Sequence, residues 1–90
     1  MTNNLEFVVS KLYKPAKPVE VMTDEQGQPV AVRWRGAVYR GQTANHWRIQ
    51  TGWWDEEVSR DYYLVETKDL TCEVYRDRLQ DGWYMHRVYD

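Results

Sequence analysis

Leu5, Val8, Val9 and Leu12 fall at i, i+3, i+4 and i+7 behind Asn3 and Asn4, the spacing of a short amphipathic helix with an N-cap. The same stretch holds the β-forming trio Phe7, Val8 and Val9, so residues 5–13 fit an extended arm as well. Lys14-Pro15-Ala16-Lys17-Pro18 then removes two backbone donors and disfavours helix before each proline. On this pattern residues 1–18 are an N-terminal arm with a Lys/Pro connector, and residues 19–90 are a single β domain.

From Val19 the apolar period changes to two. Val19 and Val21 lead into the polar turn Asp24-Glu25-Gln26-Gly27-Gln28, and Val30, Val32 and Trp34 form the returning arm of a hairpin. Arg33 and Arg35 alternate with that apolar face, so both guanidinium groups are expected on the other side. Gly36 permits a tight reversal into Ala37, Val38, Tyr39 and Arg40, and a further strand is expected near Trp47-Arg48-Ile49-Gln50. Trp53-Trp54-Asp55-Glu56-Glu57 reads as a loop that pins an indole. Tyr62 to Thr67 carries aromatic or aliphatic residues on both faces and is therefore expected at the centre of the sheet. Thr71 to Tyr75 follows as a strand, Arg76 to Gly82 as a turn, and Trp83 to Tyr89 as the last strand. The fold expected is mainly β: a small, strongly bent antiparallel β-roll or partly open barrel of five or six strands, preceded by the short helix or extended arm.

Composition explains how so small a chain fills a core. Leu, Ile, Val and Phe make up only 18 of 90 residues, a level near that of disordered chains. Five Trp and seven Tyr compensate, because each buried ring removes about 150–250 Å² from water. Trp34 and several of Tyr62, Tyr63, Tyr75 and Trp83 are assigned to the core by alternation. Trp47, Trp53 and Trp54 compete for the space that remains.

Charge is unevenly placed. The formal net charge is −2, yet residues 26–54 carry Arg33, Arg35, Arg40 and Arg48 and no acid, while residues 55–90 carry ten acids against five bases. Arginine interleaved with aromatic rings on a β surface suits two tasks: anchoring a protein partner, and holding a nucleic-acid strand by phosphate attraction and base stacking. The candidate binding residues are Arg33, Arg35, Arg40, Arg48, Trp47, Trp53 and Trp54. The competing use of these arginines is pairing with the acidic half.

Catalytic chemistry is thinly provided. Ser10, Ser59 and Cys72 have no base at a recognisable spacing; Cys72 alternates with Val74 and is expected to be a buried, inert thiol. His46 and His86 lack companions at metal-ligand spacing, and Asp55-Glu56-Glu57 reads as a solvated acidic run. Nucleotide-binding glycine motifs are absent. No enzyme activity, cofactor or metal is therefore expected. The single cysteine, the lack of a basic leader with an apolar run, and apolar runs far below the roughly 20 residues of a membrane span lead to the expectation of a cytoplasmic protein without a membrane segment.

Three stretches carry a family resemblance: Pro29-Val30-Ala31-Val32-Arg33-Trp34-Arg35-Gly36 with Tyr39-Arg40; Arg60-Asp61-Tyr62-Tyr63-Leu64-Val65-Glu66; and Tyr75-Arg76-Asp77 leading to Trp83-Tyr84-Met85-His86-Arg87-Val88-Tyr89-Asp90. In order and spacing they resemble a family of short bacterial proteins of unknown function. They are also similar to the C-terminal segment of the catalytically inactive Y-family polymerase homologue of the translesion mutasome. The resemblance spans residues 18–90 and implies a setting of DNA repair and protein contacts rather than catalysis. The leading expectation is a non-enzymatic module that binds a protein of the replication or repair machinery, as a monomer or a weak dimer paired through an edge such as the last strand. Single-stranded nucleic-acid binding and a purely structural role are the alternatives.

Overall fold

A computed structural model describes residues 10–53 and 56–89. They form seven strands: β1 (Ser10–Pro18), β2 (Glu20–Thr23), β3 (Pro29–Trp34), β4 (Ala37–Trp53), β5 (Glu56–Thr67), β6 (Thr71–Asp77) and β7 (Gly82–Tyr89). All pairs are antiparallel, in the order β1-β7-β6-β5-β4-β3-β2. The strand count thus exceeds the expected five or six. β1 and β2 lie at opposite ends of this order yet are separated in the chain by Val19 alone, whose N–H donates to the Trp83 carbonyl of β7 at 3.1 Å. The sheet therefore curls until its two ends meet, giving an antiparallel half-barrel.

Local chemistry sets the turns as expected. The Asp24 carboxylate accepts from the Gln26 and Gln28 amides, both at 2.9 Å, and Gly27 takes φ +82°. Arg35 and Gly36 both have positive φ, 51° and 84°, the requirement of a two-residue turn that matches strand twist. Thr67 clasps Leu70 through its hydroxyl, and Asp77 caps the Leu79 and Gln80 amides.

Four further expectations change. Among the described residues there is no helix: Ser10–Pro18 is strand, which settles the C-terminal part of the 5–13 stretch as extended, while residues 1–9 lie outside the described residues. The connector is also part of the domain, because β1 pairs with β7 and Tyr13 is buried in the core with its ring edge-on to Trp34 at 5.3 Å. Prolines that forbid a helix are equally suited to an edge strand, and that is where they sit. The last strand is not an edge, since β7 runs between β1 and β6. Finally, the two short strands expected within residues 37–50 are one strand of 17 residues, and the following loop is narrowed by the pairs Gly52–Glu57 and Trp53–Glu56.

β4 bends where it changes partner. Residues 37–40 pair with β3 and residues 41–53 with β5. At Gly41 the β5 backbone comes so close that an added Cβ would meet the Glu66 carbonyl group and would lie 2.8 Å from Thr67 Cα. A glycine lets the two strands touch at this corner.

The core lies inside the curl and is built from Tyr13, Val32, Tyr63, Val65, Cys72, Val74 and Met85. Trp34, Tyr39, Trp83 and Val88 close over it. As expected, β5 is central, with three strands on either side, and Cys72 is fully buried. Burial pushes the Cys72 thiol up to about 12, so the nucleophilic thiolate is absent near neutral pH. Ellman's reagent is accordingly expected to leave Cys72 untouched in the native protein and to titrate one thiol once urea unfolds it.

Candidate functional site

The strand register distributes the candidate arginines over different surfaces. Arg33 and Arg40 are diagonal neighbours on the solvent face of β3 and β4, where Arg33 Nε donates to Glu20 at 3.0 Å. Arg40 is exposed and forms no ion pair among the described residues. Arg35 does not join them. Its positive φ breaks the alternation of β3, and its Nη2 donates to the Tyr13 hydroxyl at 3.0 Å, with the guanidinium over the Trp34 ring.

Arg48 belongs to a second group, at the open end of the concave face. Its Nε donates to Asp61 Oδ1 at 2.8 Å, and Arg78 Nη1 donates to Oδ2 at 3.1 Å. His46 stacks flat on Tyr63 at 4.4 Å and places Nε2 3.6 Å from the same carboxylate. The Asp61 carboxylate is only 6% exposed, whereas both guanidiniums stand half in water. Burial pushes this carboxyl up, but the hydrogen bonds from Arg48 and Arg78 and the Arg48 charge outweigh it and hold Asp61 below its ordinary value. Nearby, Arg76 is bound to Asp81, and Arg76 and Arg78 line a cavity of about 210 Å³.

The third group is one that sequence reasoning missed. On the convex face the pairs Trp47–Tyr62, Tyr62–Tyr75 and Tyr75–Tyr84 are in register, so their rings form a row across β4, β5, β6 and β7. Centroid separations are 5.6, 5.0 and 5.4 Å along the row. Arg60 lies over the Tyr75 ring at 4.5 Å and donates to the Tyr62 hydroxyl at 3.3 Å. The β-bulge in β7 places His86 edge-on to Tyr62 and Tyr75, with its Nδ1 2.5 Å from the buried Glu73 carboxylate. Tyr89 donates to the same carboxylate at 3.3 Å. Tyr62 and Tyr75, 6% exposed each, are buried by their neighbours in the row rather than by the core. Trp47, Tyr84, Arg60 and His86 remain half-buried and reach the surface. The one available signal was the doublet Tyr62-Tyr63, which marks β5 as lined on both faces.

Of the three tryptophans competing for space, Trp47 is thus the end of a stacked row. Trp53 closes β4, its side chain lying outside the described residues together with Trp54. Among the described residues no three His, Cys, Asp or Glu side chains are grouped to hold a metal ion, and no helix is long and apolar enough to cross a membrane. No protein-family model, curated protein or solved structure matches this chain.

Proposed function

We propose that this chain is a non-enzymatic protein-binding module, that its contact surface is the convex aromatic row, and that its partner belongs to the bacterial repair or replication machinery that the sequence resemblance implies. The observation that carries the reading is the gathering of Trp47, Tyr84, Arg60 and His86 around two buried tyrosines on the face opposite the core. Trp, Tyr and Arg are the residue types in which binding energy concentrates, and rings fixed by stacking lose little side-chain entropy on contact. Protein binding is favoured over nucleic-acid binding because Arg33 and Arg48 are bonded to carboxylates and Arg35 to a tyrosine hydroxyl, which leaves few guanidiniums for phosphate.

The test is capture of replication and repair proteins from DNA-damaged bacterial lysate by the immobilised chain, with Arg60→Glu and Tyr84→Ala as comparisons. Each substitution is expected to weaken capture of a specific partner by roughly 30-fold, the equivalent of a hot-spot loss of about 2 kcal/mol. Partners retained equally by both variants, or recovery of nucleic acid alone, would overturn the reading.

A further inference from the structure

Among the described residues the sheet has a long open edge. From Gly41 to Trp53, β4 pairs with β5 on one side and, among the described residues, with no strand on the other. Natural edges are blunted with Lys and Pro. β1 is treated in that way, carrying Lys11, Lys14, Lys17, Pro15 and Pro18, and β2 is only four residues long. Gly41–Trp53 contains neither Lys nor Pro; its one charged side chain besides His46 is Arg48, which is turned onto Asp61.

We propose that this edge pairs antiparallel with the same segment of a second copy, about a two-fold axis perpendicular to the sheet at Trp47. Such an axis keeps the convex faces of both copies on one side, so from Asn45 to Ile49 each residue faces one that points to the same side. Trp47 is the midpoint of Gly41–Trp53, and placing the axis there pairs Asn45–Ile49 directly, while beyond the extra residue Ala44 the register moves by one, so that Thr43 faces Gln50 and Gln42 faces Thr51. His46 then faces Arg48 of the second copy and Asn45 faces Ile49. An axis at Arg48 would instead oppose two guanidiniums.

Two further features fit this occupant. The aromatic row ends at the open edge on half-buried Trp47, and a second row meeting it there makes one continuous ladder across both copies. In addition, β6 pairs with β5 only as far as Arg60, so the β4–β5 hairpin runs on from Gln50 and Ser59 as a two-stranded ribbon, and Ile49 at its base is 40% exposed. Two strands alone are marginal in water, and a second copy supplies a third. This inference goes beyond the protein-binding reading and stands apart from it.

Light scattering coupled to size exclusion is expected to give twice the 10.9 kDa chain mass. A nitroxide on Thr51→Cys, with Cys72 buried and unlabelled, is expected to show a spin–spin distance of about 27 Å, since residue 51 lies four positions from the axis at Trp47 in each copy, eight in all at ~3.4 Å each. Asn45→Lys combined with Ile49→Lys is expected to weaken association at least tenfold while leaving the far-ultraviolet spectrum unchanged. A monomer, as would follow if residues 1–9 of the same chain covered the edge, overturns the proposal. So does a dimer with a different label distance, or one that the two lysines do not weaken. A monomer that still captures its partner overturns the dimer and leaves the protein-binding reading intact.

Discussion

Gly41→Ala is expected to abolish the folded state, or to leave it so weak that its urea midpoint falls near zero. The added methyl would meet the Glu66 carbonyl oxygen and lie 2.7 Å from the carbonyl carbon, and these are backbone atoms that cannot swing aside. Relief requires β4 and β5 to separate at the corner where β4 passes from β3 to β5, which joins the two parts of the curled sheet. Overpacking a core usually costs about 1–3 kcal/mol through side-chain adjustment. Moving paired strands apart exceeds that, against a total stability of about 5–15 kcal/mol for a domain. Gly52→Ala is the control: nothing lies within 4 Å of its added Cβ, and its stability is expected to stay within about 0.5 kcal/mol of the parent. Urea titrations followed by circular dichroism decide between a corner that needs glycine and one that merely contains it.

The second large effect lies at Asp61. Arg48→Met and Arg78→Met are each expected to cost about 1 kcal/mol, because the carboxylate keeps one guanidinium in either variant. The double variant leaves the carboxylate, only 6% exposed, with His46 alone at 3.6 Å, and is expected to lose about 3–5 kcal/mol, more than the two singles combined. The pH dependence supplies the sign. In the parent protein the folded-state carboxyl is held below its ordinary value, so its contribution is full above the ordinary carboxylate range and is lost as pH falls through the folded value. In the double variant burial, the largest influence, is opposed by His46 alone and raises the carboxyl, so the penalty develops as pH rises. The stability gap between parent and double variant should therefore be widest near neutral pH and close as the solution is made acidic. A gap independent of pH would assign the loss to packing of the arginine stems.

Both effects show where local pattern stops being informative. Gly41-Gln42-Thr43-Ala44-Asn45-His46 reads as a break between two short strands because it lacks apolar alternation. It is strand nonetheless: β5 supplies a ladder on one side, and the second side, which no strand pairs with among the described residues, asks for no apolar residues. Arg35 departs from Arg33 because positive φ at both turn residues ends the strand's alternation one residue early. The Lys/Pro segment conceals β1, since the residue that secures it, Tyr13, is a single aromatic whose packing against Trp34 joins positions far apart in the chain.

What the amino-acid sequence determined by itself is what depends on neighbours in the chain: the period-two strands, the turns at Asp24–Gln28 and at Arg35–Gly36, the central place of β5 and the burial of Cys72. Each follows from the preferences of a few adjacent residues. Tertiary structure alone decided the curl that brings β1 and β2 together at Val19, the glycine corner at Gly41, the Arg48–Asp61–Arg78 cluster, and the row Trp47–Tyr62–Tyr75–Tyr84. The reason is register. Alternation fixes which residues of one strand share a face, but the residue each meets on the next strand is set by long-range pairing, and both the charge cluster and the aromatic row exist only across strands.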